Sequence, residues 1–217
     1  MFVKRRMTKK VITIGKDEPL LEAKMRMNRR RVNQLPVMDG DKLVGIISKR
    51  DIQSATIPLI MLGEETEKKI RQILETTPVE KIMVKNPVTA HVTDTLEDAV
   101  ILMHDHRVNS LPVLDNEGKL VGIITKTDIL EAFMEALGVN EVSQRLEVIV
   151  EDRPGALAEV VNTIKEFNVN LISVMTTPLK EKKKRVVYLR VATLNVIPIK
   201  KALSQKGIYV LEAWEEE

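Results

Sequence analysis

The feature that most constrains this chain is an internal duplication. Residues Met7–Ile52 align with Met83–Ile129 at an offset of 76, which becomes 77 after one inserted residue, with about 22 identities in about 46 positions. Repeated units that cannot close a core alone pair with each other, and the cleft between them is a common place for a ligand. The duplication therefore predicts two matching halves with a candidate binding site between them.

Each copy shows the same order of predicted elements. A short β-prone run precedes an amphipathic helix, two apolar strands follow, and a second helix begins near an acid. In the first copy Leu20, Ala23 and Met27 are spaced i, i+3 and i+7 on one helical face, and the second copy repeats this spacing. The turn Asp39-Gly40-Asp41 and its counterpart in the second copy favour hairpins. Each copy is therefore predicted to mix helices with a small sheet.

A repeated signature marks the end of each hairpin. Leu-Pro-Val lies in the first strand, and the second strand ends in a hydroxyl residue, Ser48 or Thr125, followed three residues later by Asp51 or Asp128. A carboxylate that accepts hydrogen bonds from ribose hydroxyls is a common device in nucleotide sites. A hydroxyl and backbone N–H groups at a helix start can face a phosphate. The same spacing also fits a capping box, which needs no ligand, so both interpretations stay open.

Residues around this signature would complete a nucleotide site. A nucleotide base needs an apolar slot, and the phosphates need cationic partners. Asn33 and Asn109, at the corner between helix and strand, are expected to form turns. The full predicted nucleotide-binding set is Ile14, Pro36, Ser48, Arg50, Asp51, Ala90, Pro112, Thr125, Lys126 and Asp128.

The segment between the copies and the segment after them have different patterns of apolar and charged residues. Gly63–Thr77 is predicted to be a surface or bridging helix, in which Glu64, Glu65 and Glu67 each precede a cation by four residues. The last 70 or so residues follow the order βαββαβ, which is typical of a ferredoxin-like domain with exposed sheet edges. Its expected elements are strand Arg145–Val150, helix Gly155–Phe167, strands Leu171–Thr177 and Arg185–Val191, helix Pro198–Lys206 and strand Tyr209–Trp214. The predicted domains are 1–62, a helical linker 63–80, 81–138, and 145–217.

These motifs resemble two known families. The duplicated half, with its Leu-Pro-Val and Gly-hydrophobic-hydrophobic-Ser/Thr-x-x-Asp signatures, resembles the CBS (cystathionine β-synthase) domain family, and two such units in tandem resemble a Bateman module. The tail, with Asp152-Arg153-Pro154-Gly155-Ala156-Leu157 after its first strand, resembles the ACT domain family. The whole order is similar to acetoin-utilisation protein B type regulators. The expected fold class is α/β (α+β), with two tandem CBS units forming a pseudo-symmetric module and a C-terminal ferredoxin-like ACT domain.

The resemblance implies a non-catalytic regulatory sensor. Bateman modules commonly bind adenine nucleotides between their repeats, so AMP, ADP or ATP is the expected regulatory ligand, and no cofactor is expected to be required. ACT domains often bind amino acids at dimer interfaces, for which the candidates here are Asp152, Gly155, Ala156, Leu157 and Asn170. The family often places an arginine just before Leu-Pro, whereas this chain has Gln34 and Ser110. That departure leaves the number of phosphates open.

Two other functions remain as alternatives. The chain can be a regulatory subunit that holds a separate enzyme while its own nucleotide sites are vestigial. It can also be a nucleic-acid-binding regulator that uses Lys180–Arg185 and Lys4–Lys10, but an aromatic content of 3% and the lack of a helix-turn-helix pattern count against this. A homodimer is expected because the module leaves helical faces exposed and the tail leaves sheet edges exposed.

Composition and spacing exclude several other classes. The sequence shows no nucleophile–base constellation, so no catalytic residue is predicted. His104 and His106 do not share a helical face, so no metal site is expected. The apolar run near Ile57–Leu62 is too short to span a membrane and contains a proline. The absence of cysteine fits a reducing cytoplasm, which is the predicted location.

Overall fold

The computed structural model describes residues 1–60, 66–179 and 183–212. It divides into two compact units, Met1–Ile129 and Leu130–Glu217. The first unit contains the sequence repeats, and the second contains the ferredoxin-like tail. Among the described residues, no helix is both long and apolar enough to cross a membrane.

Both repeats have the predicted order of strand, helix, two strands and helix. The first comprises β1 (Ile14–Gly15), α1 (Leu20–Arg30), β2 (Gln34–Asp39), β3 (Lys42–Ser48) and α2 (Lys49–Ile60). The connecting segment contains α3 (Thr66–Thr76), and β4 (Val84–Lys85) follows at the start of the second copy. The second repeat comprises β5 (Ala90–His91), α4 (Leu96–Asp105), β6 (Ser110–Leu114), β7 (Leu120–Thr125) and α5 (Lys126–Ala136), and the boundary between the two units falls within α5.

The two small sheets share one pattern of strand directions. In the first repeat β1 runs parallel to β2, while β2, β3 and β4 are antiparallel neighbours. In the second repeat β5 runs parallel to β6, and β6 is antiparallel to β7. Both hairpins turn through a glycine with positive φ, Gly40 at 58° and Gly118 at 75°. Glycine adopts this conformation without the clash that a Cβ would cause, which is why the hairpins turn at these positions.

Each sheet of the repeat pair is completed by a segment from outside its own repeat. β4 lies at the start of the second copy but pairs with β3 of the first. Thr8 lies at the start of the first copy but bridges to Ile123 on β7 of the second, with two backbone hydrogen bonds of 2.9 and 3.0 Å. The repeats therefore exchange equivalent segments. They cannot separate without breaking sheet hydrogen bonds.

Two equivalent valines anchor the exchanged segments. Val3 and Val79 each begin a short 3-10 turn, and both side chains are completely buried. The Val3 N–H donates to the Asp94 carbonyl and the Val79 N–H donates to the Glu18 carbonyl, each at 2.9 Å. Burial of a valine side chain contributes about 1.5–3 kcal/mol, so each anchor adds to the stability of the repeat that it joins.

The glycine of the repeated signature lies against a methionine of the exchanged segment in both sheets. Met83 from the exchanged segment lies against Gly45 on β3, and Met7 lies against Gly122 on β7. A Cβ at either glycine would overlap the methionine sulfur. The close approach explains why glycine stands at this position in both strands.

The segment between the repeats belongs to the hydrophobic core of the first repeat. α3 packs against α1 and α2, and its Leu74 is buried. The apolar stripe of α3, formed by Ile70, Ile73 and Leu74, faces this core, while Lys68, Lys69 and Arg71 are exposed, as expected for an amphipathic surface helix. The ion pairs predicted for Glu64, Glu65 and Glu67 involve side chains outside the described residues. The buried residues of this core are Ile14, Leu20, Ala23, Met27, Leu35, Val37, Ile47, Ile52, Leu74 and Val79.

The second unit has the predicted ferredoxin-like architecture. Its elements are β8 (Gln144–Glu151), α6 (Ala156–Lys165), β9 (Leu171–Pro178), β10 (Lys184–Val191), α7 (Ile197–Gln205) and β11 (Tyr209–Leu211). The strands form one sheet in the order β11-β8-β10-β9, in which each adjacent pair is antiparallel. Trp214 and most of the charged tip before β10 lie outside the described residues. The core is formed by Leu146, Val148, Val150, Ala156, Val160, Ile164, Val187, Leu189, Val191, Ile199, Leu203 and Ile208.

The segment between α5 and β8 is attached to this sheet at both of its ends. Ser173 Oγ on β9 donates to the Leu137 carbonyl at 2.9 Å. Arg190 Nη1 on β10 donates to Ser143 Oγ at 3.1 Å. Between them, Gly138 has φ of 63° and approaches Ile172 so closely that a Cβ would overlap its side chain. The end of α5 is thus fixed to the sheet of the second unit.

Candidate functional site

The hydroxyl and acid of each repeated signature form a capping arrangement at the start of the following helix. The backbone N–H and Oγ of Ser48 both donate to Asp51 Oδ2, at 2.7 and 2.6 Å. The Asp51 N–H returns a bond to Ser48 Oγ at 3.2 Å. Thr125 and Asp128 repeat the pattern at 2.7, 2.7 and 3.3 Å. The ligand-free role left open by the sequence is therefore present in both repeats, with aspartate in the place that glutamate or glutamine usually takes.

This capping role leaves part of each carboxylate available. Both bonds accepted by Asp51 use Oδ2, and the same holds for Asp128. In the described ranges, no hydrogen-bond donor reaches Oδ1 of either residue. Both side chains are half-buried. An ionised carboxylate oxygen in this setting can accept a hydrogen bond from a ligand hydroxyl without loss of the cap.

A polar side-chain contact connects the two repeats beside these turns. Ser110 Oγ donates to Gln34 Oε1, and the two residues occupy equivalent positions in their repeats. Gln34 is the strand partner of Ser48, and Ser110 is the strand partner of Thr125. Partner residues on adjacent antiparallel strands have Cα atoms about 4.5–5.5 Å apart. The two hydroxyl–acid turns therefore lie on either side of one contact between the repeats.

The corner asparagines hold the starts of the following helices through their backbones. The Asn33 carbonyl accepts from the Lys49 N–H at 2.9 Å, and the Asn109 carbonyl accepts from the Lys126 N–H at 3.1 Å. Each bond joins the residue before a central strand to the first residue of α2 or α5. The helix start, the hydroxyl and the acid are thus positioned together by the hairpin in each repeat.

The remaining residues of the predicted nucleotide set divide into buried and exposed groups. Ile14 and Ala90 are almost fully buried and pair through their backbones with Val37 and Val113. Pro36 and Pro112 are also buried. A ligand contact at these four positions would come from the backbone rather than from a side-chain wall. Arg50 and Lys126 are exposed at the helix starts, where a cation is free to meet a phosphate.

Two arginines near the site have unfavourable backbone conformations. Arg31 and Arg107 both have φ of 54°, in the left-handed region that residues other than glycine rarely adopt. They stand at equivalent positions, three residues before Gln34 and Ser110, and both are exposed. The same strained conformation occurs at the equivalent arginine of both repeats. Arg31 and Arg107 are therefore candidate site residues that the predicted nucleotide-binding set did not include. Gln34 and Ser110 were also absent from that set, although their place before Leu-Pro was the signal that could have found them.

The surface depressions of the second repeat lie away from these turns. They are at the hairpin end of the sheet, whereas Thr125 and Asp128 are at the opposite end of β7. One depression is lined by Thr89, Ala90, His91, Asp94, Leu114, Asp115, Asn116 and Gly118, and the other is described below. Among the described residues, no cluster of three or more His, Cys, Asp or Glu side chains could hold a metal ion.

In the second unit, the predicted amino-acid site is centred on the start of α6. Gly155 precedes the helix with φ of 87°, a conformation that suits glycine. Asp152 is exposed, and its Oδ2 lies 3.7 Å from Arg185 Nη1. Ala156 is buried in the core, so it offers no side chain to a ligand, whereas Leu157 is exposed.

Asp152 and Asn170 do not meet within one protomer. β8 and β9 are both antiparallel to β10 and therefore parallel to each other. Asp152 follows the end of β8, while Asn170 precedes the start of β9 and accepts from the Ala192 N–H at the other end of the sheet. Eight-residue strands at ~3.3 Å per residue separate the two positions by roughly 20 Å or more. Asp152 and Asn170 therefore cannot belong to one amino-acid site within a single chain, which corrects the predicted set.

Family comparison agrees with this architecture. The family model of the CBS domain matches residues 3–57 and 79–135, which together exceed half of the chain. The chain belongs to the CBS domain family. The family model of the ACT domain matches residues 144–206, so an ACT domain follows the tandem CBS pair.

Several curated proteins are similar to the CBS pair. A CBS domain-containing protein of Dictyostelium discoideum is 36% identical over 138 residues, which cover 63% of this chain and 94% of that protein. The inosine-5'-monophosphate dehydrogenase of Thermoplasma acidophilum is 29% identical over 178 residues, covering 75% of this chain. That match spans 32% of the dehydrogenase.

Solved structures share the fold of the CBS pair. CBSX2 from Arabidopsis thaliana has a TM-score of 0.51 and 26% identity, with 61% of this chain and 94% of that chain covered. A structure of CBSX2 in complex with AMP has the same TM-score and identity and covers 96% of that chain. This chain is thus similar in fold to a CBS pair that has been solved with a bound nucleotide.

Proposed function

We propose that the CBS pair is a non-catalytic regulatory module that binds an adenine nucleotide between its repeats. The observation that carries this proposal is the placement of two equivalent hydroxyl–acid turns on either side of the Gln34–Ser110 contact. Each turn combines a carboxylate oxygen that lacks a protein donor in the described residues with an exposed cation at a helix start. The similarity to AMP-bound CBSX2 supports the class of ligand.

Each group has a distinct role in the proposed complex. Ribose hydroxyls donate to Oδ1 of Asp51 or Asp128 while Oδ2 keeps its capping bonds. Arg50 and Lys126 meet the phosphates, and backbone near Ile14, Pro36, Ala90 and Pro112 borders the base. The Gln34–Ser110 contact is uncharged, so the preference among AMP, ADP and ATP depends on the exposed cations around it.

The double variant Asp51→Asn/Asp128→Asn tests the ribose contact while it preserves the cap. The amide oxygen still accepts the two capping bonds, but an NH₂ group replaces the second acceptor. Loss of hydrogen bonds to a charged group costs about 1.5–3 kcal/mol, so calorimetric affinity for the preferred nucleotide is expected to fall at least tenfold.

Asp98→Asn is the matched control. Asp98 caps α4 together with Thr95 in the same geometry, at 2.9 and 2.7 Å, but it lies outside the proposed site. Nucleotide affinity should be unchanged in this variant. Equal affinity of the double variant and the parent for AMP, ADP and ATP would exclude the ribose assignment.

A second candidate function is control of a separate enzyme. The observation in its favour is that a dehydrogenase of other organisms contains a region similar to this CBS pair. In this view the chain holds a separate enzyme and its own nucleotide sites are vestigial. The test is whether the tagged protein binds a purified enzyme and changes the rate of that enzyme equally with and without AMP or ATP. A change of rate that depends on AMP or ATP favours the nucleotide sensor.

The ACT domain is proposed to form a homodimer and to bind an amino acid at its interface. Among the described strands, β9 is at the edge of the sheet with no partner on its outer side, and Val174 and Met175 on it are exposed. Such an edge is suited to pairing with a second copy. Light scattering at micromolar concentration should give twice the chain mass, and Val174→Lys should shift it towards the monomer. A thermal-shift screen of amino acids, with Gly155→Val as the site variant, tests the ligand.

A further inference from the structure

The second depression of the second repeat has a basic rim and an apolar floor. Lys4, Arg5 and Lys9 form the rim, and all three side chains are exposed. Met7, Val92 and Val121 form the floor and are half-buried. The site lies at the start of β7, so it is separate from the hydroxyl–acid turn at the end of that strand.

The charges around this depression are unbalanced. Asp115 is the acid in its lining, and its Oδ1 already accepts the N–H groups of Glu117 and Lys119 in the hairpin, both at 2.9 Å. Within the described part of the chain, no ion pair engages the three rim cations. Three cations against one carboxylate give the lining a formal charge of +2. An anion bound here would contact exposed cations that form no ion pair with another described residue.

The first repeat provides an internal comparison, because its residues at the equivalent positions differ in charge. Lys16 stands at the position of Val92, and its Nζ lies 2.7 Å from Asp39 Oδ2, where Asp39 is the counterpart of Asp115. Glu80 stands at the position of Lys4. In the first repeat a lysine thus replaces the apolar valine and pairs with the aspartate. In the second repeat the valine leaves the floor open and the rim cationic.

We propose that this basic depression binds a small phosphate monoester with an apolar body. The rim cations Lys4, Arg5 and Lys9 contact the phosphate, and the apolar body lies on Met7, Val92 and Val121. Charge-assisted bonds to phosphate supply affinity, and the apolar floor selects an ester over the free anion. The site is independent of the proposed nucleotide cleft.

Phenyl phosphate and inorganic phosphate are the probes, with calorimetry for affinity and amide shifts of Val92 and Val121 for location. Phenyl phosphate is expected to bind more tightly than inorganic phosphate and to shift both amides. Arg5→Gln/Lys9→Gln should weaken it about tenfold, which corresponds to ~1.4 kcal/mol. The matched control is Lys81→Gln/Lys85→Gln at the equivalent positions of the first repeat, where affinity should not change. Equal losses in both variants would overturn the proposal by showing only a general charge effect.

Two further variants test whether the apolar floor contributes to binding and whether the nucleotide cleft takes part in it. Val92→Lys copies the first repeat, so the advantage of phenyl phosphate over inorganic phosphate should disappear even though a positive charge is added. Asp51→Asn/Asp128→Asn should leave phenyl phosphate binding unchanged. A persistent phenyl phosphate advantage in Val92→Lys, or loss of binding in the aspartate variant, would contradict the assigned site.

Discussion

Gln34 and Ser110 are equivalent residues of the two repeats, and they hydrogen-bond directly to each other. Each precedes a Leu-Pro-Val strand and is the strand partner of a hydroxyl residue, Ser48 or Thr125. A residue pair related by the internal repeat therefore connects the two halves of the module beside both candidate ligand positions. Changes at this pair should affect the stability of the module and the shape of the cleft together.

Ser110→Ala is expected to lower the free energy of unfolding of the CBS pair by about 1–2 kcal/mol, because Gln34 Oε1 loses its donor at a position where Ser110 is 5% exposed. Gln34→Met/Ser110→Ala removes both polar groups and should recover part of this loss. Urea denaturation of the four proteins in this double-mutant cycle gives the coupling. Strictly additive effects would show that the contact does not stabilise the module.

Arg31→Gly and Arg107→Gly should each raise the free energy of unfolding by about 0.5–1 kcal/mol, because glycine relieves the left-handed strain. Arg31→Ala and Arg107→Ala keep the strain and remove the charge, so they should bring no such gain in thermal or urea unfolding. If the arginines also contact phosphate, nucleotide affinity falls equally in the glycine and alanine variants. A stability gain with alanine as large as that with glycine would argue against the strain.

Asp98 should make a pH-dependent contribution to stability. Hydrogen bonds from the Thr95 side chain and backbone lower the pKa of Asp98 from its ordinary value of 3.8. A lowered folded-state pKa stabilises the protein above the unfolded pKa, and this contribution is lost as the pH falls through the folded pKa. The difference in melting temperature between the parent and Asp98→Ala should therefore be constant near neutral pH and shrink below pH 3.8. Thr95→Val, which removes the side-chain bond, should flatten this dependence, and an unchanged slope would contradict the assigned cause.

A flexible four-residue insertion after Gly138 should abolish coupling between nucleotide binding and dimerisation of the ACT domain. α5 begins at the candidate phosphate position, and the segment after it is bonded to the ACT sheet through Leu137 and Ser143. Coupling of this kind is typically 1–3 kcal/mol and acts equally in both directions. Dimer dissociation constants with and without nucleotide measure it. The same insertion after Asn195, in the loop before α7, is the control, and coupling that survives the Gly138 insertion would exclude this connection.

Periodicity made much of the fold predictable. Leu20, Ala23 and Met27 are buried as their spacing indicated, and the βαββαβ order of the tail is confirmed. The segment exchange was not predicted, because β4 is only two residues long and Thr8 makes an isolated bridge. Segments this short show no periodic pattern of apolar residues, and their partners lie far away in sequence. The local sequence therefore cannot indicate which repeat each segment joins.

The candidate site was predictable in its repeated residues but not in its cross-repeat contact. Ser48, Asp51, Thr125 and Asp128 were found because each pair has a fixed spacing within one turn. The Gln34–Ser110 contact depends on how two separate sheets meet, which no local spacing encodes. The separation of Asp152 from Asn170 could have been predicted from the sequence. A strand–helix–strand crossover makes its two strands parallel, so a residue after the first strand and a residue before the second lie at opposite ends of the sheet.

The segment exchange also determines the order in which parts of this chain can fold during synthesis. Residues up to Ile60 can collapse early, but the first repeat lacks its fourth strand until Val84–Lys85 has been made. Val3 and Thr8 must wait longer, because their partners Asp94 and Ile123 are synthesised more than eighty residues later. Val3 and Thr8 are therefore made long before the residues they bind and reach their final positions late. Until then the nascent chain exposes Val3 and Met7, whereas Val79 and Met83 find Glu18 and Gly45 already made, so Val3 and Met7 are the expected binding positions of a chaperone.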